Sequence, residues 1–378
     1  MRNILKDPLF HVARRRDIPW WKALMFRLIA ILVGIIFVCL ILAIASGANP
    51  LLVIPYLFKG NFGTPRKIWI SFHTTALLLL VALGLLPAFK MKFWNLGGDG
   101  QILVSALVGV MLMHGLGDAG WPDGAIIALM IPCSIAAGAI WALIPAIFRA
   151  FFNTNESLFT LMMNYIAAAI VGVYITAAFP NNAGSMPIIE TGNFPTIFGL
   201  PYLLTIIIAV LVLALVFGYL RFSKHGYELE VVGESQNTAK YIGINVKKVV
   251  IRTALLSGAI CGVVGLLIAG SIDRSITTES ANGMGFTAIM VAWLARFNPF
   301  AMVGTAFLVS FVTNGMPEVR MQFGITSSAI TSVSIGLIYF FIIAVEFLIS
   351  YRVIFNKHKA KTEGAPKEQA PVETKEEK

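Results

Sequence analysis

Nine stretches of this sequence stay apolar for roughly the 20 residues that a helix needs to cross a bilayer core of about 30 Å. They are residues 24–46, 68–89, 101–116, 122–148, 157–179, 201–220, 249–271, 299–316 and 329–350. A tenth, 285–295, has about half that length and is too short to span as a regular helix. Composition agrees. Hydrophobic residues make up 57% of the 378 and charged residues 13%, whereas a water-soluble surface needs about 25% charged. The prediction is an all-α polytopic membrane protein of about ten transmembrane segments, one of them short or broken. The same arithmetic excludes a disordered chain and a secreted disulfide scaffold. Cys39, Cys133 and Cys261 are odd in number, lie in apolar runs and lack metal-ligand spacing, so they read as buried thiols.

The net charge of +10 is explained by placement. If the first residues are cytoplasmic and each run crosses, inner loops and ends hold 24 of the 29 Lys and Arg residues and outer loops hold 5. That asymmetry is what the positive-inside rule requires, and it predicts both termini in the cytoplasm. Nucleic-acid binding is not needed to account for the charge. Residues 1–23 form a basic cytoplasmic arm, 24–350 the membrane domain, and 351–378 a tail predicted to be disordered, rich in Lys, Glu, Pro and Ala from Asn356 onward. A long basic arm before a full-length apolar run argues against a cleaved signal peptide.

Chemistry-bearing residues are few. There is no P-loop and no H-E-x-x-H motif. The five histidines have no ligand spacing, and His73 and His114 read as structural or pore-lining. Asp99 is the main intramembrane charge and lies in N-L-G-G-D-G-Q, residues 95–101, where three glycines in four positions break a helix. Two readings fit: an N-cap at the membrane surface, or a discontinuous helix lining a transport path. Ser157, Thr160 and Asn164 share one helical face, which suits either a polar path or an interhelical hydrogen bond. Gly258, Gly262 and Gly265 form a small-residue stripe for close helix packing, within the chain or against a second subunit. The short segment 285–295 is a half-helix inside the bundle or a kinked span. Residues 221–252 mix charges with Val231, Val232, Ala239, Tyr241, Ile242 and Ile244. A short helix capped by Ser235 or Asn237 is expected there, ending near Gly243. Such a loop suits a protein partner or a membrane-surface helix.

This loop also carries a resemblance. V-G-E-S-Q-N-T-A-K-Y-I-G-I-N-V-K-K resembles the cytoplasmic coupling segment of bacterial ABC importer permeases of the simple-sugar and nucleoside branch. Gly226, Gly233, Glu234, Ala239, Gly243 and Ile244 match its pattern, and Ser235 stands where Asn is common. Residues 95–101 resemble that family's N-I-G-x-E-G-Q with Asp99 for Glu. Residues 155–167 resemble N-E-x-x-x-T-L-M-x-N-Y-I-A, and 283–299 resemble G-x-G-[FY]-x-x-I-x-V-A-x-L-x-x-x-N-P. The T-L-M-M-N-Y version is closer to the nucleoside permeases than to the ribose type.

The resemblance implies an ABC importer permease fold in the bacterial plasma membrane, without an ATPase site or cofactor of its own. ATP and magnesium would be held by partner ATPase subunits. It further implies a second permease subunit and an extracytoplasmic substrate-binding lipoprotein. The 221–252 loop, with Gly233, Glu234, Ser235, Ala239, Gly243 and Ile244, would dock into the ATPase. Asp99, Asn164, Tyr165, Phe286 and Trp293 are the expected path-lining residues; Trp293 suits packing equally. The rival readings are the same machinery for ribose or another simple sugar, and an ion-coupled carrier. Sparse buried charge and the folded loop argue against the carrier. No nucleophile, metal or acid–base cluster supports a membrane enzyme.

Overall fold

Polar residues between the apolar runs set the helix starts. Asn155, Asn245 and Asn298 each accept a first-turn backbone N–H, from Leu158 at 3.1 Å, Lys248 at 3.2 Å and Phe300 at 3.0 Å. Thr64 does the same for Lys67 at 3.3 Å, with Pro65 opening the helix. These caps satisfy donors that have no partner within the helix. The computed structural model describes residues 10–14, 19–47, 49–180, 182, 186–327 and 329–355. Its helices are α1 (Trp20–Ser46), α2 (Val53–Phe62), α3 (Pro65–Lys90), α4 (Gly98–Asp118), α5 (Asp123–Phe152), α6 (Glu156–Ala178), α7 (Leu203–Phe222), α8 (Lys224–Glu234), α9 (Gln236–Tyr241), α10 (Val246–Leu267), α11 (Met284–Leu294), α12 (Pro299–Gln322) and α13 (Ala329–Ser350). Among the described residues, eight helices are long and apolar enough to cross a membrane. The shorter apolar stretches Met284–Leu294 and Ser332–Val345 bring the total to the ten expected.

The centre of the bundle is α3 and α10. Ala76–Phe89 of α3 is buried without interruption, and α10 buries thirteen residues including Gly258, Gly262 and Gly265. A helix covered on all sides is apolar all round. The glycine stripe faces α5 and α4. A methyl at Gly138 of α5 would lie 2.6 Å from the Gly258 carbonyl oxygen and 2.8 Å from the Gly262 Cα. A methyl at Gly265 would collide with the Ile102 carbonyl of α4. These backbones pack directly on one another, as small residues permit. Of the three cysteines, Cys39 and Cys261 are buried but Cys133 is exposed on the bundle exterior, which corrects the expectation for that thiol.

Two features differ from the sequence reading. First, α2 is a helix that the apolar runs did not predict. It lies against α12, where Gly60 meets Gly315. Buried Asn61 donates to the Phe311 carbonyl at 2.8 Å and accepts from the Ser71 hydroxyl at 2.9 Å. Glu318 of α12 closes this end between Lys59 (3.1 Å) and Lys67 (2.7 Å). Second, Phe10–Arg14 (β1) and Tyr351–Phe355 (β2), assigned to the arm and the tail, pair antiparallel with Phe10 opposite Phe355. α1 begins at Trp20, inside the expected arm, and lies against α13, with the Phe37 and Phe341 rings 4.9 Å apart. Residues 1–9, 15–18 and 356–378, which hold most of the predicted arm and tail, lie outside the described residues.

Candidate functional site

The chain between α3 and α4 does not stay at the helix ends. It turns back into the bundle, so that Gly98 lies beside Val81 and Leu85 of α3. Those residues are five and nine positions before Lys90, which places the start of α4 about 8–14 Å in from that end of α3. The re-entrant segment is held by side chains from other helices. Asn95 donates to the Ser257 hydroxyl of α10 at 3.1 Å. Asn95 Oδ1 accepts from the Gly97 N–H at 3.0 Å and from Gln101 Nε2 at 3.2 Å. From α6, Thr160 accepts the Leu96 N–H at 3.1 Å. Asn164 donates to the Leu96 carbonyl at 2.9 Å and accepts the Gly100 N–H at 2.8 Å. Irregular backbone at this depth is tolerated only when its polar groups are met in this way.

α11 starts at the same place. The Gly285 N–H donates to Asp99 Oδ1 at 2.7 Å, and Asp99 is buried. A methyl on Gly285 would lie 2.8 Å from the Asp99 amide nitrogen, and one on Gly98 3.0 Å from the Gly285 Cα. The two broken helices therefore meet N-terminus to N-terminus, with a carboxylate in the first turn of one bonded to an N–H of the other. Both helix dipoles favour negative charge at that point. Two buried polar atoms at the junction lack a protein partner: Gln101 Oε1, an acceptor, and Trp141 Nε1, a donor close to Gly100. Such groups call for a water or a ligand.

The structure thus brings Asp99 and Asn164 together. Phe286 and Trp293, seven residues apart on α11, share its outward face, opposite buried Gly285, Ala288, Val291 and Ala292. Trp293 also meets Trp94, their ring centroids 5.5 Å apart. Tyr165 is not part of the junction: it is 67% exposed on the outer side of α6. Thr160 was marked by its helical face. Asn95, Gln101, Ser257 and Trp141 were not singled out. Asn95 and Gln101 stood inside a quoted motif, whereas nothing local distinguished Ser257 or Trp141.

A second site lies beyond the C-terminal end of α3. Ser223 caps α8 through the Gly226 N–H at 3.0 Å, and Ser235 caps α9 through the Thr238 N–H at 3.2 Å. Gly226 and Gly233 pack on backbone, Gly233 directly on the Lys90 carbonyl at the end of α3. Leu229, Val232 and Ala239 form a small core with Ala88, Met91, Phe93, Ala146 and Val250, and Ile244 packs against it. Glu228 pairs with Arg252 at 2.9 Å, and that guanidinium holds its carboxyl below the usual carboxylate range. Beyond this anchor the tip is bare: Gly243 has φ +84°, Glu234 is exposed, Tyr241 is 92% exposed and Ile242 51%.

Comparison with known proteins agrees with this architecture. The chain is 28% identical to the nucleoside ABC transporter permease protein NupB of Lactococcus lactis subsp. cremoris, over 90% of this chain and 95% of that protein. It is 28% identical to the guanosine ABC transporter permease protein NupP of Bacillus subtilis, over 87% and 96%. It is 27% identical to the glucose ABC transporter permease protein TsgB13 of Haloferax volcanii, over 90% and 92%. No solved structure matches the chain significantly. The family model described as branched-chain amino acid transport system / permease component matches residues 69–346, from within α3 to within α13. With both helix breaks and the α8–α9 loop inside that match, the chain is a multi-pass membrane permease belonging to the branched-chain amino acid transport system / permease component family.

Proposed function

We propose that this chain is the membrane-spanning subunit of an ATP-driven ABC importer that moves nucleosides from an external binding lipoprotein to the cytoplasm by alternating access. The observation that carries the ATP-driven reading is the α8–α9 loop, whose inner face is packed on the end of α3 and whose tip leaves Tyr241 and Ile242 bare. A bare apolar tip on an anchored helix pair suits a protein partner. The sequence holds no P-loop. ATP and magnesium would therefore belong to ATPase subunits that grip the loop, and this chain would bind no cofactor. A second permease subunit completes the assembly.

The mechanism follows from connectivity. Leu229, Val232 and Ala239 pack on Met91 and Phe93, which lead directly into the re-entrant segment. Displacement of α8 and α9 by the ATPases would move that segment and, through Asp99 and Gly285, the start of α11. Asp99 and Asn164 are proposed to border the path, with Gln101 and Trp141 offering the free acceptor and donor; Phe286 and Trp293, on the outward face of α11, are left out of it. The orientation, loop and both termini in the cytoplasm, is supported by the distribution of Lys and Arg.

The nucleoside assignment is supported by the two bacterial relatives, and the glucose permease of Haloferax volcanii supports a sugar as the second reading. Proteoliposomes containing the permease, its ATPases and the binding protein separate them. ATP-dependent uptake of labelled guanosine, competed by other nucleosides and not by glucose or ribose, is expected. Competition by sugars alone would establish the sugar reading. Uptake by this chain alone, driven by an ion gradient without ATP, would make it a secondary carrier.

A further inference from the structure

Between α10 and α11 the chain changes level inside the bundle. α10 continues through a π-helical turn, Ile268–Ile272, at the end of the bundle away from the α8–α9 loop. α11 does not start at that end, because Gly285 in its first turn lies against Gly98 and Asp99. Gly98 lies beside Val81 and Leu85 of α3, and Gly84 in the same turn of α3 packs on Ile260 and Cys261 of α10. The start of α11 is therefore level with Cys261, about 16 Å short of Ile272 along α10. Residues 273–283 cover that descent without forming a helix.

One face of this segment is anchored and the other is open. Ile276 and Ala281 are buried in the core, and the Arg274 carbonyl accepts the Ile189 N–H at 2.9 Å. Thr277, Thr278, Glu279, Asn282 and Gly283 are exposed. Asn282 (φ +46°) and Gly283 (φ +65°) are both left-handed and turn the chain into α11. Thr278 shows how deep the open face reaches. A methyl on Gly172 of α6 would lie 3.5 Å from the Thr278 methyl. Gly172 precedes the end of α6 at Ala178 by about 9 Å of helix. Asn164, Ala168 and Gly172 are spaced by four and share a face of α6. That line of α6 leads from the Asp99 junction to Thr278.

Irregular backbone at membrane depth is tolerated only where protein covers it or water fills the space beside it. A carboxylate such as that of Glu279 is likewise costly against lipid. We propose that the open face of residues 277–283 lines a water-filled mouth of the transport path, leading from the end of the bundle opposite the α8–α9 loop down to Asp99 and Asn164. It rests on the import reading above and supplies the half of the path that the junction alone leaves undefined. Two hydroxyls, an amide and a carboxylate along this wall suit an uncharged polyhydroxyl substrate. Such a substrate can exchange hydrogen bonds with water for hydrogen bonds with Thr277, Thr278 and Asn282.

The test introduces Thr278→Cys and Asn282→Cys singly after replacement of Cys39, Cys133 and Cys261. Native membranes carrying the whole importer are opened so that both faces meet a charged, membrane-impermeant methanethiosulfonate. Both thiols should react, and Thr278→Cys decides the matter if the left-handed position of Asn282 does not accept cysteine. In intact cells the same reagent should abolish the ATP-driven uptake that each variant shows before reaction, and leave the cysteine-free parent unaffected. If Thr278→Cys resists the charged reagent yet reacts with N-ethylmaleimide once denatured, the segment lies against lipid or in a dry contact, and the proposal is overturned. Reaction without loss of uptake overturns it as well, since the water then lies off the path. Failure of the import reading itself looks different: the unaltered chain would show no ATP-driven uptake, while the thiols would react as before.

Discussion

Asp99 accepts the Gly285 N–H at 2.7 Å from inside the bundle, and a side chain in that position can be altered in two separable ways. Asp99→Asn keeps an oxygen for the Gly285 N–H and removes the charge that two helix dipoles favour. Asp99→Ala removes the acceptor as well and leaves a buried N–H unpaired, a loss of about 1–3 kcal/mol. The expected order of thermal stability in detergent is therefore Asp99, then Asn, then Ala. Transport should fall more steeply than stability, because the junction between α4 and α11 is proposed to move. Equal stability and uptake in all three proteins would remove Asp99 from the mechanism. The glycine run around Asp99 made a helix break legible in the sequence. Its depth was not, because the group that bonds Asp99 lies 186 residues away and is a backbone N–H, which leaves no mark on composition.

At the scale of elements, the α8–α9 loop yields two predictions. Gly243 has φ +84° at the end of the exposed tip, where any side chain is strained. Gly243→Asp adds that strain and a charge to the face proposed to meet an ATPase. Co-purification with the ATPase and ATP-driven uptake should both drop severalfold while the permease stays folded; unchanged uptake and co-purification would reassign the loop to the membrane surface. The second prediction concerns pH. Arg252 lowers the Glu228 carboxyl below its unfolded value, so their pairing adds stability above the ordinary Glu range near pH 4.3. That stability is lost as pH falls through the lower native value. The pair is partly exposed, so the contribution is at most about 1 kcal/mol. Hydrogen exchange in α8 should be constant from about pH 5 to 8 once corrected for intrinsic rate, and should rise in relative terms only below that range. In Arg252→Gln the acid-dependent component should vanish; an undiminished acid-dependent rise in that variant would show that the Glu228–Arg252 pair is not its source. A short helix with Ser235 as one of two expected caps and an end near Gly243 was readable because caps and turns are local. α2 was not readable, since Lys59 and Asn61 interrupt its apolar pattern and find their partners on α3 and α12.

For the whole molecule, the long spans were legible because lipid imposes a minimum apolar length on any helix that crosses it. The packing order was less so. The Gly258, Gly262 and Gly265 stripe announced close contact, but its partners α4 and α5 emerge only in three dimensions. Orientation is the remaining global property, and the charge distribution makes it testable. Lys90, the α8–α9 loop and Arg296 gather at one end of the bundle, while Lys59, Lys67 and Glu318 close the junction of α2, α3 and α12 at the other. An excess of Lys and Arg favours the cytoplasmic side during insertion, so the first end should face the cytoplasm. After replacement of Cys39, Cys133 and Cys261 by serine or alanine, a single cysteine at Thr238 in α9 or at Glu279 before α11 reports the side directly. Both positions are exposed. A membrane-impermeant maleimide should label Glu279→Cys in intact cells and Thr238→Cys in inverted vesicles. The opposite pattern would invert the permease, place the α8–α9 tip out of reach of any cytoplasmic ATPase, and with it end the importer mechanism proposed for this chain.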